Sequence, residues 1–314
     1  MKFLPTLAGA ALALAAAAPA AHASSDTVLA TAARPTPVDA GAGHVLYSAW
    51  DGSAYRLTEP GSGALPVRGA AHPFHADIGR DARDHAVAVY PRCTGDETGC
   101  DLYLYDFTTR RERKLRHADS PGDDEVAGAV WRDTLVFARV YHGTKGVLYE
   151  RSLAHPKRHS HRLANQRAAS VDLRGTRAAF SNVREWSREP WLAWTGSGTV
   201  HRLTRVPGSG AAVDYLSALN PTSWGSSVYW LLVRSGERDV SVLHRYNRTK
   251  HRDERVAAEI PRAASGFGYD AGTAYYALPQ QAGQIRCATG RDCRTDIHRV
   301  DGLTFEKAPP IELR

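Results

Sequence analysis

Beyond its first two dozen residues the chain has no apolar run approaching the length of a membrane span, so a helical membrane domain is excluded from that part of its 314 residues. No Gly-x-Ser-x-Gly elbow occurs, no glycine loop with a lysine to cradle phosphate, and no alternating-aspartate calcium loop. Lysine is scarce: six residues against thirty-four arginines. With alanine so common, that imbalance reads as GC-rich coding bias of the actinobacterial kind. There are only four cysteines, and none follows the small-residue stretch near Ala23 to accept a lipid.

What is present begins with a short basic start, Met1-Lys2, an apolar segment from Phe3 to Ala18, and Ala21-His22-Ala23, which fits a small-x-small cleavage site. We expect residues 1–23 to be a signal peptide and residues 24–314 to form one exported domain. No arginine pair precedes the apolar segment, so export in the unfolded state is expected.

The mature sequence repeats. His44-Val45-Leu46-Tyr47-Ser48-Ala49-Trp50 has counterparts starting at His85, Thr134, Arg177, Ser227 and Thr273, at steps of 41, 49, 43, 50 and 46 residues. Such a period matches one four-stranded propeller blade. Each copy follows a small or polar turn (Gly43, Asp84, Asp133, Gly175, Gly225, Gly272) and is rich in β-branched and aromatic residues, as a buried strand b requires. A second signal follows each, as in Leu102–Asp106 and Val242–Tyr246, and reads as strand c. Polar segments such as Arg113–Leu115 suit an outer strand d, and small-residue stretches such as Ala127–Val130 suit an inner strand a.

Asp101–Leu115 resembles the c–d hairpin of the TolB-like, WD40-like propeller repeat, and Asp172–Ser181 resembles its a–b turn. The resemblance covers most of the mature chain and implies an all-β, six-bladed propeller; the family's Ser-Pro-Asp-Gly turn is not intact anywhere here. Fold does not carry function, so no family partner is transferred. Outside the repeats no stretch could hold a helical catalytic domain, which, with the missing elbow, excludes a propeller-linked serine peptidase. Pro309-Pro310 make the C-terminal segment a poor last strand, whereas Thr27–Ala32 has strand character and no local partner. That segment is expected to close the ring by joining the last blade.

Cys93 and Cys100 fall between strands b and c of the second blade, Cys287 and Cys293 in the same place in the sixth. Cross-pairing between non-adjacent blades would exceed the Cα separation a disulfide tolerates, about 7 Å. Two local disulfides are therefore expected, Cys93 with Cys100 and Cys287 with Cys293.

The formal charge is +7. Arg110, Arg111, Lys114, Lys157, Arg158 and Lys250 lie at expected c–d turns, forming a basic rim able to meet an anionic surface. Asp123-Asp124-Glu125 and Asp96-Glu97 are expected in loops of the opposite face. That face, with the longer b–c and d–a loops, is the expected ligand face. It carries Arg184, Glu185, Trp186 and Arg188, suited to stacking on a sugar or anchoring a protein, and His72, His75 and Asp77, the best metal or acid-base candidates. Two functions of different class follow. One is a non-catalytic, monomeric binding propeller for a protein or cell-wall glycan, without cofactor or metal. The other is a polysaccharide lyase or glycoside hydrolase using His72, His75 and Asp77 or Asp123.

Overall fold

The structure, a computed structural model, describes residues 24–95, 98–116, 118, 123–141, 146–155, 157–184, 187–206, 215–235, 239–280, 293–309 and 311. The expected signal peptide lies outside them, as do Asp96, Glu97, Glu185, Trp186 and Cys287.

Every regular element among the described residues is a β-strand. After β1 (Ser25–Ala32), strands follow in antiparallel groups. The first group is β2 (Val38–Gly41), β3 (His44–Trp50), β4 (Tyr55–Glu59) and β5 (Gly63–Ala64). The second is β6 (Asp77–Asp81), β7 (Ala86–Arg92), β8 (Asp101–Asp106) and β9 (Arg111–Lys114). The third holds β10 (Asp123–Arg132), β11 (Thr134–Tyr141), β12 (Gly146–Ser152) and the first half of β13 (His161–Arg174). The second half of β13 opens the fourth, with β14 (Arg177–Val183), β15 (Ser187–Trp194) and β16 (Val200–Arg202). The fifth comprises β17 (Tyr215–Trp224), β18 (Ser227–Ser235), β19 (Val240–Asn247) and β20 (Arg252–Val256). The last holds β21 (Gly266–Asp270), β22 (Thr273–Pro279) and β23 (Thr295–Asp301), and β1 pairs antiparallel with β23.

The second strand of each group is apolar on both faces because both faces are covered by neighbouring groups. Val87, Val89, Leu102 and Leu104 pack with Val130, Leu135 and Phe137 of the next group. Each fully buried side chain of that size contributes about 2 kcal/mol of transfer free energy. Other clusters join the first group to the second through Leu46 and Tyr90, and the fifth to the last through Leu231 and Phe267. One cluster joins the last group to the first, with Ala277 and Ile297 against Val38 and Tyr47, and Ala32 of β1 between them. The inner strands approach even more closely. A Cβ added at Gly79 would overlap the Val130 carbonyl oxygen, and one at Gly266 or Gly268 would overlap the β2 backbone. Only glycine permits that spacing.

Four local expectations need correction. The second b strand starts at Ala86, because the His85 and Arg83 backbone N–H groups both donate to Asp81 Oδ1, at 2.9 and 2.8 Å, and keep His85 in the turn. Asp123-Asp124-Glu125 is not a loop but the start of β10: Asp124 Oδ1 accepts from Cys100 N at 2.8 Å, and buried Glu125 pairs with Arg139 at 3.0 Å. The basic run from Lys157 to Arg162 reads in the sequence as a c–d turn, but its last two residues, His161 and Arg162, lie in β13. The C-terminal segment forms β24 (Phe305–Lys307), which adds to the outer edge of β20.

Cys93 and Cys100 are disulfide-bonded across the β7–β8 connection. Cys293 is also in a disulfide; Cys287, its expected partner, lies outside the described residues.

Candidate functional site: the axial carboxylates

The inner strands bring four aspartates toward one axis: Asp39 of β2, Asp77 of β6, Asp172 of β13 and Asp270 of β21. Three of them accept a backbone N–H from the following group. Ile78 N donates to Asp39 Oδ2 at 2.9 Å, Ser223 N to Asp172 Oδ2 at 2.6 Å, and Gly43 N to Asp270 Oδ2 at 2.7 Å. These bonds tie neighbouring groups together, a sufficient structural reason for one oxygen of each.

They do not account for the rest. Asp77 Oδ2 and Asp270 Oδ1 are buried without a hydrogen-bond donor, and Asp77 is only 7% exposed. The Asp77 and Asp172 carboxyl groups lie in hydrogen-bonding contact with each other, an arrangement that needs a proton or a cation between them. Burial first, then the Asp172 charge, pushes Asp39 and Asp77 well above the usual carboxylate range. Asp172 is pushed up to about 7 by burial, which the Ser223 N–H and the Arg174 charge partly offset. Arg174 is itself held in place by stacking, its guanidinium 3.4 Å from the Trp224 ring centre.

Asp39, Asp77, Asp172, His75, Asn220 and Thr222 line a cavity of about 30 Å³. That is room for a water molecule or one ion, not for a sugar ring or a peptide unit.

The sequence-derived candidates separate into three sets. His75 and Asp77 line this cavity, whereas His72 does not. His75 is an exposed residue, yet desolvation by the surrounding chain, followed by the Arg188 charge, lowers its pKa to about 4, so it is neutral at pH 7. Arg188 therefore lies near enough to His75 for its charge to act there. Arg184 stands farther out, 54% exposed, with Nε 3.5 Å from the buried Glu189, which Arg202 also approaches at 3.6 Å. Glu185 and Trp186 lie outside the described residues. On the rim, Arg110, Arg111, Lys157 and Arg158 are exposed, while Lys114 pairs with Asp101 at 2.8 Å and Lys250 approaches Glu254 at 3.8 Å.

Asp81, His85 and Asp106 also come within 4.8 Å of one another. Both aspartates there hold turn N–H groups on Oδ1, which accounts for one oxygen of each as turn chemistry.

Asp39, Asp172 and Asp270 were not among the sequence candidates. A usable signal existed: Val38-Asp39-Ala40 and Val171-Asp172-Leu173 place an acid between apolar neighbours in inner strands of two repeats.

No family model matches the sequence, and a comparison with curated proteins finds no match. Solved structures do match. A putative TolB from Agrobacterium tumefaciens is similar at 11% identity with TM-score 0.50, over 85% of this chain and 89% of that one. The fold is a TolB-like β-propeller. A luciferin-regenerating enzyme overlaps the propeller at TM-score 0.52 and 10% identity, over 93% of this chain and all of its own. An oligogalacturonate lyase from Vibrio parahaemolyticus overlaps at TM-score 0.49 and 12% identity, over 83% of this chain and 76% of the lyase. The propeller spans 62% of the length of TolB from Acinetobacter baumannii, with 82% of this chain covered at 12% identity and TM-score 0.48. At these identities the likeness concerns fold alone and leaves binding and enzymatic readings both open.

Proposed function

We propose that the chain is an exported ring of six blades, closed by β1, that binds a protein or cell-wall glycan on its b–c and d–a loop face without turning it over. The apolar cluster between the first and last groups supports closure, as do the glycines of β21 set against β2 and the β1–β23 pairing. Among the described residues no helix is long and apolar enough to cross a membrane, and the Cys93–Cys100 disulfide suits an oxidising compartment.

The observation that carries the binding reading is the size of the axial cavity. Its buried carboxyl groups, Asp39 and Asp77, line a space of about 30 Å³, smaller than a sugar ring. Arg184, in contrast, is exposed yet oriented by the buried Glu189, and with Arg188 it flanks Trp186 in sequence. Such a pairing of guanidinium and aromatic surface suits a hot spot. Trp186→Ala combined with Arg184→Ala should abolish binding to a ligand obtained from a screen of cell-wall glycans and secreted proteins. Retention of that binding would remove the loop face from consideration.

One observation favours a carbohydrate-active enzyme instead. Burial lowers the His75 pKa to about 4 and raises that of Asp77 well above the usual carboxylate range, a divergence that acid-base pairs use. Release of unsaturated or reducing sugar from polyuronides or cell-wall polymers, lost in His75→Ala, would establish that reading.

A further inference from the structure

The β6–β7 turn, residues 82–85, is the longest of the six turns that lead into a b strand, and it brings His85 back to Asp81. His85 Nδ1 lies 3.7 Å from Asp81 Oδ2, beyond hydrogen-bonding range. Asp106 joins them as the last residue of β8, where it pairs with Val87 near the start of β7. One ligand atom from each of the three residues falls within 4.8 Å of the other two. Turn chemistry explains only part of this. Arg83 N and His85 N donate to Asp81 Oδ1 at 2.8 and 2.9 Å, and Thr108 N and Thr109 N donate to Asp106 Oδ1 at 2.8 and 3.0 Å. Those bonds fix both carboxylates but ask nothing of an imidazole. His85 Nδ1 is nonetheless buried and has no hydrogen-bond partner, although 32% of the side chain is exposed. A ring nitrogen shut off from water and left unpaired is a cost that the turn does not repay.

The carboxylates are also without a basic partner. Among the described residues no lysine or arginine pairs with Asp81 or Asp106, and Arg80 instead bonds the Asp84 carbonyl at 2.8 Å and its carboxylate at 3.3 Å. The propeller repeat does not require the arrangement. Four residues before the b-strand signal the other repeats carry Ala40, Val130, Leu173, Ser223 and Tyr269, and among the described residues no second group of this kind occurs.

We propose that Asp81, His85 and Asp106 bind one divalent transition-metal ion of the zinc class, which ties the β6–β7 turn to the root of the β8–β9 hairpin. One imidazole nitrogen and two carboxylate oxygens are ligands that zinc accepts, and three protein ligands leave a fourth position for water. With metal–ligand bonds of about 2.1 Å, two ligands of a tetrahedral zinc stand about 3.4 Å apart. The 3.7 Å between His85 Nδ1 and Asp81 Oδ2 is close to that spacing, so only Asp106 must swing inward. Calcium and magnesium favour shells of oxygen and gain nothing from the imidazole, and no thiolate is present to select a softer ion. The ion would reinforce a contact the chain already makes: Phe107 N donates to the Ala86 carbonyl at 3.2 Å, and the Phe107 ring stacks on His44 with centres 3.8 Å apart. Arg110 and Arg111 sit at the tip of the hairpin so braced. The site lies at the ends of the strands opposite Arg184, and it does not depend on any partner of the loop face.

The experiment uses the purified protein, stripped with chelator and passed into metal-free buffer. Zinc chloride at ~100 times its dissociation constant should raise the melting temperature by about 5 °C, and calorimetry should count one strong site. Calcium and magnesium at millimolar concentration should neither reproduce the shift nor displace zinc. Cobalt(II) in place of zinc should give a visible absorption band that disappears in His85→Ala. Asp81→Asn and Asp106→Asn should each weaken zinc binding at least tenfold. Without metal both should melt within about 2 °C of the parent, because the asparagine side-chain carbonyl still accepts the turn N–H groups. That pair keeps the test decisive if His85→Ala folds poorly. Zinc should also slow tryptic cleavage after Arg110 and Arg111 in the parent and not in Asp106→Asn. His159→Ala, in the exposed basic run, should keep the parent affinity. Absence of zinc binding and of a cobalt band at up to millimolar metal would overturn the proposal. So would zinc affinity unchanged in His85→Ala and Asp106→Asn, affinity lost in His159→Ala, or calcium bound in preference to zinc.

Discussion

Single aspartates at the axis make stability depend on pH in an unusual direction. An aspartate whose pKa is higher folded than unfolded binds its proton more tightly in the folded state, so it stabilises the fold at low pH and loses that contribution as pH rises through the folded value. For Asp172 that value is about 7, with burial as the main cause. His75 has the opposite sign, since its pKa is lowered to about 4, and it costs stability only as pH falls below the ordinary histidine range, about 6.5. Asp106, Glu254 and Asp301, held below their ordinary values, act only in acid. Between pH 6.5 and 8, therefore, the axial aspartates dominate. The protein should unfold at lower urea concentration at pH 8 than at pH 6.5, and Asp172→Asn should flatten that difference. Equal urea midpoints at the two pH values in the parent would contradict the assignment. These residues were hard to find in the sequence because an aspartate in an inner strand looks like one on a solvated face. Its meaning comes from three other strands, remote in sequence, that converge on it.

At the level of strands the sequence was far more legible. Five of the six b strands begin where the repeat places them, at His44, Thr134, Arg177, Ser227 and Thr273, because burial on both faces leaves an apolar run that nothing else in the chain imitates. The misplacements share a cause. His161-Arg162 is charged and continues the basic run from Lys157, so it reads as a turn, yet it opens an outer strand that Leu163 and Ala164 anchor in the core. Glu125 likewise reads as loop chemistry until Arg139 is seen beside it. β1 is the element whose removal tests most. Seven of its residues pair with β23, Tyr276 donates to Asp26 at 2.7 Å, and His298 Nδ1 lies 2.8 Å from the other oxygen of that carboxylate. Deleting residues 25–32 would expose the β23 edge and uncover Ile297, so it should lower the melting temperature by more than 5 °C, since about 2 to 3 kcal/mol of apolar burial goes with the lost pairing. An unchanged melting temperature would mean that the segment contributes nothing to closure.

Across the whole molecule the sum of charge matters less than where unpaired charge remains. The basic rim seen in the sequence is only partly available. Lys114 is neutralised by Asp101, and Lys250 shares Glu254 with Arg245 and Arg252, so neither offers a free cation to a surface. Arg110 and Arg111, at the tip of the β8–β9 hairpin, and Lys157 and Arg158, before β13, remain exposed. An anionic polymer or vesicle should therefore feel these four positions, through a long-range attraction that salt screens over about 8 to 10 Å. Replacing Arg110, Arg111, Lys157 and Arg158 by glutamate should weaken adhesion to vesicles of anionic lipid and flatten its salt dependence, while Lys114→Glu should do much less. The same four-residue variant should keep any specific ligand of the Arg184 face, because the two sets belong to opposite ends of the strands: β8–β9 and β12–β13 connections on one side, the β14–β15 connection on the other. Loss of the specific ligand in the rim variant, with binding intact in the Trp186→Ala, Arg184→Ala protein, would exchange the two faces. Undiminished adhesion in the rim variant would instead show that its arginines and lysines are solvated hairpin tips without a partner.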